Sequence, residues 1–245
     1  MANNNIVLIS GKSTTGKSAS LRNIRNPEGV MYLNCENNKS LPFANKFKCY
    51  TINDPMQVYD GFTAAESNPD IHTIVVDTVT YLMDMYESNY VLNSANSMKM
   101  WGEYAQFFKN LMSQYVANST KKVVFLGHTL DVLNESEMIS ETLVKVKGSL
   151  MNQGIESYFT NVVSTKKVAL PKLTEMKSAL LDITEDDEIN GFKYVYQTKL
   201  TKETVNERIR GPLGMWERKE TYIDNDIQNV LDRIEQYYNP VAKAA

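Results

Sequence analysis

The chain is poor in cysteine, with only Cys35 and Cys49 in 245 residues. Two thiols cannot build a disulfide framework, so a reducing cytosol is the default compartment. No uninterrupted apolar run is long enough to span a bilayer, which predicts no membrane partner. The first five residues, Met1-Ala2-Asn3-Asn4-Asn5, place no basic stretch ahead of an apolar one, so no secretory signal is visible. No Gly/Ser-rich linker, fixed-period repeat or low-complexity tract divides the sequence. A single domain over residues 1–245 is predicted. An excess of either charge is also lacking. Lysine and arginine total 26 against 29 acidic residues, a net charge of −3, which gives no global support to nucleic-acid binding. What is present is ordinary for a globular protein: 42% hydrophobic residues, enough to fill a sizeable core.

The first half alternates strands with helices. Ile6-Val7-Leu8-Ile9 is a short apolar run closed by Ser10-Gly11, a buried strand and then a turn. A helix is predicted over 17–24, ended by Asn26-Pro27. Further strands are predicted at 30–33 and 47–52, and Asp54-Pro55 signals a helix start. The fourth strand, 71–77, is β-branched and ends in Asp77. Helical spacing covers 81–90 and 101–115, and a fifth strand covers 122–127. Strands separated by helices imply a mainly parallel α/β sheet. The second half predicts a helix at 151–159, a strand at 162–168, a mobile acidic loop at 172–190, and C-terminal elements over 192–238. These last are strands at 194–200 and 218–223, antiparallel, and a closing helix at 226–238.

Gly11-Lys12-Ser13-Thr14-Thr15-Gly16-Lys17-Ser18 fits the phosphate-loop spacing. Glycine lets the backbone curl around phosphate without a Cβ clash. Successive N–H groups, from Thr14 and Thr15 through to Ala19, then face the anion together with the following helix terminus. Lys17 neutralises the β- and γ-phosphates and Ser18 offers a hydroxyl to Mg²⁺. An accidental glycine-rich turn is the competing explanation. By average composition the pattern arises by chance in roughly one such chain in a hundred, and here it also follows a strand, as the chemistry requires. Asp77 stands at the C-terminal edge of the sheet, where ligands of open α/β sheets bind. It reads as the second Mg²⁺ ligand, against the alternative of a helix cap. Glu36 follows the second strand and reaches the same edge, suiting it to orient or deprotonate an attacking water. A surface carboxylate is the plainer alternative. His128 closes the fifth strand in Leu126-Gly127-His128-Thr129, where it can touch a γ-phosphate; a lone histidine there also serves purely structural ends. His72 has no sequence partner and no assigned role.

This order of features resembles the RecA-like family of ATPases over residues 4–168, and most of all its short, core-only bacteriophage members of the Sak type, which anneal single strands. The segments Tyr196-Gln197-Thr198-Lys199, Arg208-Ile209-Arg210-Gly211-Pro212 and Ile223-Asp224-Asn225-Asp226-Ile227-Gln228 are similar to the C-terminal part of that subgroup. The resemblance implies a RecA-like P-loop core and ATP and Mg²⁺ as cofactors. Lys17 and Ser18 would then hold phosphate and Mg²⁺, Asp77 the metal, and Glu36 the attacking water, with His128 as the sensor. It implies an adenine-stacking place for Phe43, although a ring after Leu41-Pro42 also suits a core. A cation supplied by a neighbouring subunit is implied too, with Arg208, Arg210, Lys199 and Lys202 as candidates against plain solubilising charge. Because the first strand starts so early, the N-terminal grip of RecA filaments is expected to be missing. A ring, a short filament or assembly only on DNA all stay open for the implied homo-oligomer.

The same resemblance places two DNA-facing loops at 89–101 and 130–149, with Lys99 and Trp101 in the first and Lys145 and Lys147 in the second. The second also carries Glu135, Glu137 and Glu141, so neither is strongly basic. The implied function is ATP-dependent binding of single-stranded DNA with annealing or strand exchange, in the cytoplasm of an infected bacterial host and with a single-strand-binding protein as a further partner. Two other readings compete. A P-loop kinase needs an arginine-rich lid, and 172–190 has no arginine. A nucleotide-gated helicase loader would act on a protein instead of DNA. A guanine switch is disfavoured, because Asn37-Asn38-Lys39-Ser40 lacks the base-reading aspartate.

Overall fold

A strand that is apolar on both faces belongs in the middle of a sheet, and β1 (Ile6–Gly11) lies there. The computed structural model describes residues 3–135, 138–174, 176 and 178–240; Glu137 of the second predicted loop lies outside them. After β1 come β2 (Val30–Asn34), β3 (Lys48–Thr51), α1 (Gln57–Glu66), β4 (Thr73–Asp77), α2 (Val79–Tyr86) and α3 (Ser97–Asn110). Then follow β5 (Lys122–Asn134), β6 (Ile139–Val144), α4 (Gly148–Gln153), β7 (Asn161–Ala169), α5 (Leu170–Leu173) and α6 (Glu185–Asn190). The chain continues through β8 (Phe192–Gln197), β9 (Tyr222–Asp224) and α7 (Ile227–Tyr238).

The sheet runs β3-β2-β4-β5-β1-β7-β8-β9, parallel as far as β7 and antiparallel at β8 and β9. β5 therefore separates the phosphate-loop strand from the strand that ends in Asp77. Side-chain alternation splits the core into two layers. Leu8, Ile74 and Val76 face one layer with residues of α1, α2 and α3, such as Phe62, Leu82 and Phe108. Val7, Ile9 and Val75 face the other with Ile227, Val230, Leu231 and Ile234 of α7. The fold is thus an α/β sheet flanked by helices, with the antiparallel strands and terminal helix at the C-terminal side. Among the described residues no helix is long and apolar enough to cross a membrane.

Several local expectations need correction. The predicted helix at 17–24 is one 3₁₀ turn, Ser18–Leu21. The Ser20 hydroxyl donates to the Lys17 carbonyl at 2.5 Å, a local side-chain bond of the kind that competes with helix continuation. After Asp54-Pro55 the helix starts only at Gln57, because Asp54 Oδ1 accepts from the Met56 N–H at 2.8 Å and forms a turn first. The fifth strand does not stop at residue 127. It runs on to Asn134 and pairs with β6 as a hairpin, so the predicted loop at 130–149 is largely strand. The helix at 151–159 breaks at Gly154, whose φ of +72° ends α4. The stretch 172–190, expected as a loop, holds regular structure in its described second half. It contains α6, fixed by a reciprocal cap between Thr184 and Asp187, and the Asp182 N–H donates to Asp224 at 3.2 Å. The strand at 218–223 is shortened to β9 by a 3₁₀ turn over Arg218–Glu220.

Candidate active site

Four parallel strands deliver side chains to one edge of the sheet. β1 ends in Gly11, which pairs with His128 in β5, and β2 ends in Asn34, which pairs with Asp77 at the end of β4. The loop after β1 turns through Thr14 at φ +64° and Gly16 at φ +94°. A Cβ on Gly11 would sit 2.1 Å from Thr165 Oγ1, so glycine is required there by close approach. Thr15 braces the curl from outside, with its hydroxyl 2.8 Å from the Lys12 carbonyl and 2.6 Å from Thr165 Oγ1. Thr14, Gly16, Lys17, Ser18 and Ala19 line a cleft of about 830 Å³.

Lys17 is buried at the floor of that cleft. Its ammonium donates to the Gly11 carbonyl at 2.9 Å and the Lys12 carbonyl at 2.8 Å, and lies 3.2 Å from His128 Nδ1. Burial lowers its pKa to about 8, against the opposing charges of Asp77 and Glu36. Since an ammonium only donates, His128 Nδ1 accepts from it and Nε2 carries the ring hydrogen. That Nε2 lies 3.1 Å from Glu36 Oε1. The other Glu36 oxygen accepts from Lys39 at 3.1 Å. The hydrogen bond from His128 holds the Glu36 carboxyl below the usual range, with Lys39 adding to it and burial opposing. Lys17, His128 and Glu36 thus form one continuous chain of polar contacts along the cleft. The backbone N–H of His128 is itself held by Thr80 Oγ1 at 3.0 Å.

Asp77 is 1% exposed. Its Oδ2 accepts from Ser18 Oγ at 2.9 Å and from the Tyr32 hydroxyl at 2.7 Å. Its Oδ1 is buried with no hydrogen-bond partner among the described residues. Burial pushes the carboxyl up, and the Tyr32 bond pulls it back. An orphaned carboxylate oxygen beside a hydroxyl is an oxygen-only donor set that suits a hard cation. Among the described residues no cluster of three or more His, Cys, Asp or Glu is arranged to hold a metal alone. Two protein oxygens are what Mg²⁺ uses when phosphate and water complete its shell, so Ser18 and Asp77 fit the ion. Thr78 caps α2 through its own hydroxyl, 3.4 Å from the Tyr81 N–H, so Asp77 is not the helix cap.

Other predicted site residues stand apart. Phe43 packs edge-on against Phe47 at 5.9 Å and joins the core layer under α7, while its neighbours Leu41 and Pro42 line the cleft. Arg208 is tied within its own chain to Glu141 at 3.3 Å and Glu156 at 3.6 Å. Arg210 is exposed and has no ion pair among the described residues; its backbone bridges Val162. Lys199 donates to the Trp216 carbonyl at 3.2 Å. In the two predicted loops, Lys99 is exposed near the start of α3, and Lys145 and Lys147 are exposed on either side of buried Val146. Lys147 is paired with Glu87. Trp101 lies against Gly148, so the two segments are neighbours in space.

Residues missed by sequence reasoning also shape the cleft. Tyr32 looked like one more core residue in an apolar strand. Asn225 stood in the segment 223–228 that carried the resemblance but was given no role; its Nδ2 donates to the Gly16 carbonyl at 2.8 Å and its own carbonyl accepts from Arg22 at 3.0 Å. Asp182, Asp187, Lys193, Tyr194 and Asp224 also line the cleft, and none of them was given a site role by the sequence. A comparison with curated proteins found no match. Residues 3–204 match the AAA domain family, a span that includes the phosphate loop, Glu36, Asp77 and His128 but stops short of Asn225. With the loop, the Ser18–Asp77 pair and the strand order all in agreement, the chain belongs to the AAA-domain family of P-loop ATPases.

Proposed function

We propose that the protein is a Mg²⁺-dependent ATPase that binds single-stranded DNA and promotes annealing or strand exchange, assembling with ATP at its subunit interfaces. The observation that carries the ATPase part is the contact chain from Lys17 through His128 to Glu36, beside the Ser18–Asp77 pair. The Lys17 ammonium, now spent on two backbone carbonyls, turns to the triphosphate oxygens. Glu36, ionised and aimed along the cleft, takes the proton of the attacking water. His128 touches both and so registers whether a γ-phosphate is present between them. Mg²⁺ held by Ser18 and Asp77 would supply charge neutralisation for the phosphoryl group.

The DNA part rests on the resemblance to Sak-type annealing proteins and on the juxtaposition of Lys99, Trp101 and Lys145 on neighbouring segments. β5 joins that surface to the site, since His128 lies on the strand that continues into the hairpin. The deciding experiment is ATP hydrolysis with and without single-stranded DNA, at low and moderate salt, beside a Lys17→Ala control. DNA-stimulated turnover that vanishes in the control supports the whole reading. Lys17-dependent turnover indifferent to DNA removes the DNA part and favours the second reading, a nucleotide-gated partner-binding ATPase such as a helicase loader. The exposed apolar residues Leu133 (58%) and Met138 (78%) near the hairpin turn are what favour that alternative.

A further inference from the structure

We propose that Tyr32 is a positioning residue for Asp77, its buried hydroxyl fixing the carboxylate that serves Mg²⁺. The inference rests on the nucleotide-site reading above. Tyr32 lies in β2 two residues before Asn34, and Asn34 is the register partner of Asp77. Residues two apart on a strand share a face, so the ring rises diagonally along the sheet toward Asp77. It is 3% exposed and wedged against Phe47, with ring centroids 6.3 Å apart. A phenylalanine would fill the same space. A buried hydroxyl without a partner is costly, and Asp77 Oδ2 at 2.7 Å is the only hydrogen-bond partner the Tyr32 hydroxyl has among the described residues.

Among the described residues only two side chains donate to the Asp77 carboxylate, and both donate to Oδ2. The other donor, Ser18, is itself one of the residues suited to the ion, so its hydroxyl has two tasks. Tyr32 has one. Its bond ties down Oδ2 and leaves Oδ1 as the oxygen without a partner among the described residues. A carboxylate only accepts, so the hydroxyl of Tyr32 is the donor in this bond. Groups that orient a metal-binding side chain from behind influence metal affinity by about 10- to 100-fold.

The test is Tyr32→Phe in the full chain, with three readouts. Mg²⁺ is titrated against ATP hydrolysis, binding of a fluorescent ATP analogue is measured with and without Mg²⁺, and thermal unfolding is followed. The expected result is an increase of about tenfold in the Mg²⁺ concentration for half-maximal turnover. The Mg²⁺-dependent gain in analogue binding weakens in parallel, while binding without Mg²⁺ and the unfolding temperature stay near the parent values. A Tyr32→Phe protein with the parent's Mg²⁺ requirement overturns the proposal. So does equal weakening of analogue binding with and without Mg²⁺ together with a lowered unfolding temperature, which marks a packing role only. Tyr32→Leu is the second variant: it shows the same Mg²⁺ shift with added instability, or the proposal fails. Lys17→Ala is the separate control. If it binds and hydrolyses ATP as the parent does, the nucleotide-site reading falls and takes this inference with it. If Lys17→Ala is impaired while Tyr32→Phe is normal, the tyrosine inference alone falls.

Discussion

At the residue scale, the site is a set of charges whose partners are already fixed. Glu36 is useful as a base only while ionised, and His128 is the largest influence keeping it so. Glu36→Gln should retain nucleotide binding and lose turnover by about 10² to 10⁴-fold, measured as kcat with a parallel binding titration. His128→Ala removes the bond that lowers the Glu36 pKa. The ionised fraction then begins to fall at a higher pH, and the acid limb of the kcat–pH profile should move upward. An unmoved acid limb would mean that a group other than Glu36 sets it. Glu36 was legible because it follows a strand at the edge where ligands bind, and His128 because the apolar run stops just before it, although β5 itself continues to Asn134. Tyr32 was not, because a tyrosine inside an apolar run reads as packing and its hydroxyl partner lies 45 positions away. Arg208 read as a free cation for the same reason in reverse: its partners Glu141 and Glu156 are distant in sequence.

At the element scale, strands and helices with a clear period were legible, and their junctions were not. α7 is a case of the first kind. Ile227, Val230, Leu231 and Ile234 recur at helical spacing and all are buried. Leu231→Ala should cost about 2–5 kcal/mol in denaturant unfolding, from lost burial and the cavity left behind. The turn just before α7 is a case of the second kind. Asn225 reaches the phosphate loop, although the family match ends 21 residues earlier. Gly16 O then has a fixed partner, and a Cβ at Gly16 would lie 2.5 Å from the Asn225 amide nitrogen. Asn225→Ala should weaken ATP binding roughly fivefold, the worth of about one hydrogen bond, with Lys17 and Asp77 untouched. Equal affinities in the two proteins would show that the loop holds its shape without this C-terminal brace. The hairpin of β5 and β6 escaped sequence reading because its outer half is mixed polar and apolar. The polar residues there are absorbed by pairing, as in the bonds of Asp131 to Lys12 at 2.6 Å and to Thr142 at 2.7 Å.

At the scale of the whole molecule, a net charge of −3 means that the proposed DNA contact would have to come from a local surface. Lys145→Glu should weaken single-stranded DNA binding at low salt and reduce the salt slope by about one counterion. Assembly has a sharper test, because the two candidate arginines differ in what already holds them. Arg208 is bound to two carboxylates of its own chain, while Arg210, exposed and free of ion pairs among the described residues, can reach a neighbour. If Arg210 completes the neighbour's site, Arg210→Ala and Lys17→Ala should each be inactive alone, for different reasons. An Arg210→Ala subunit keeps an intact phosphate loop, and a Lys17→Ala subunit keeps the arginine. Mixed in equal amounts, about one interface in four pairs the intact loop with the intact arginine. Turnover should therefore reappear on mixing, to about a quarter of the parent's rate per subunit. An arginine acting inside its own chain predicts no recovery at any ratio, because every subunit then carries one defect in its own site.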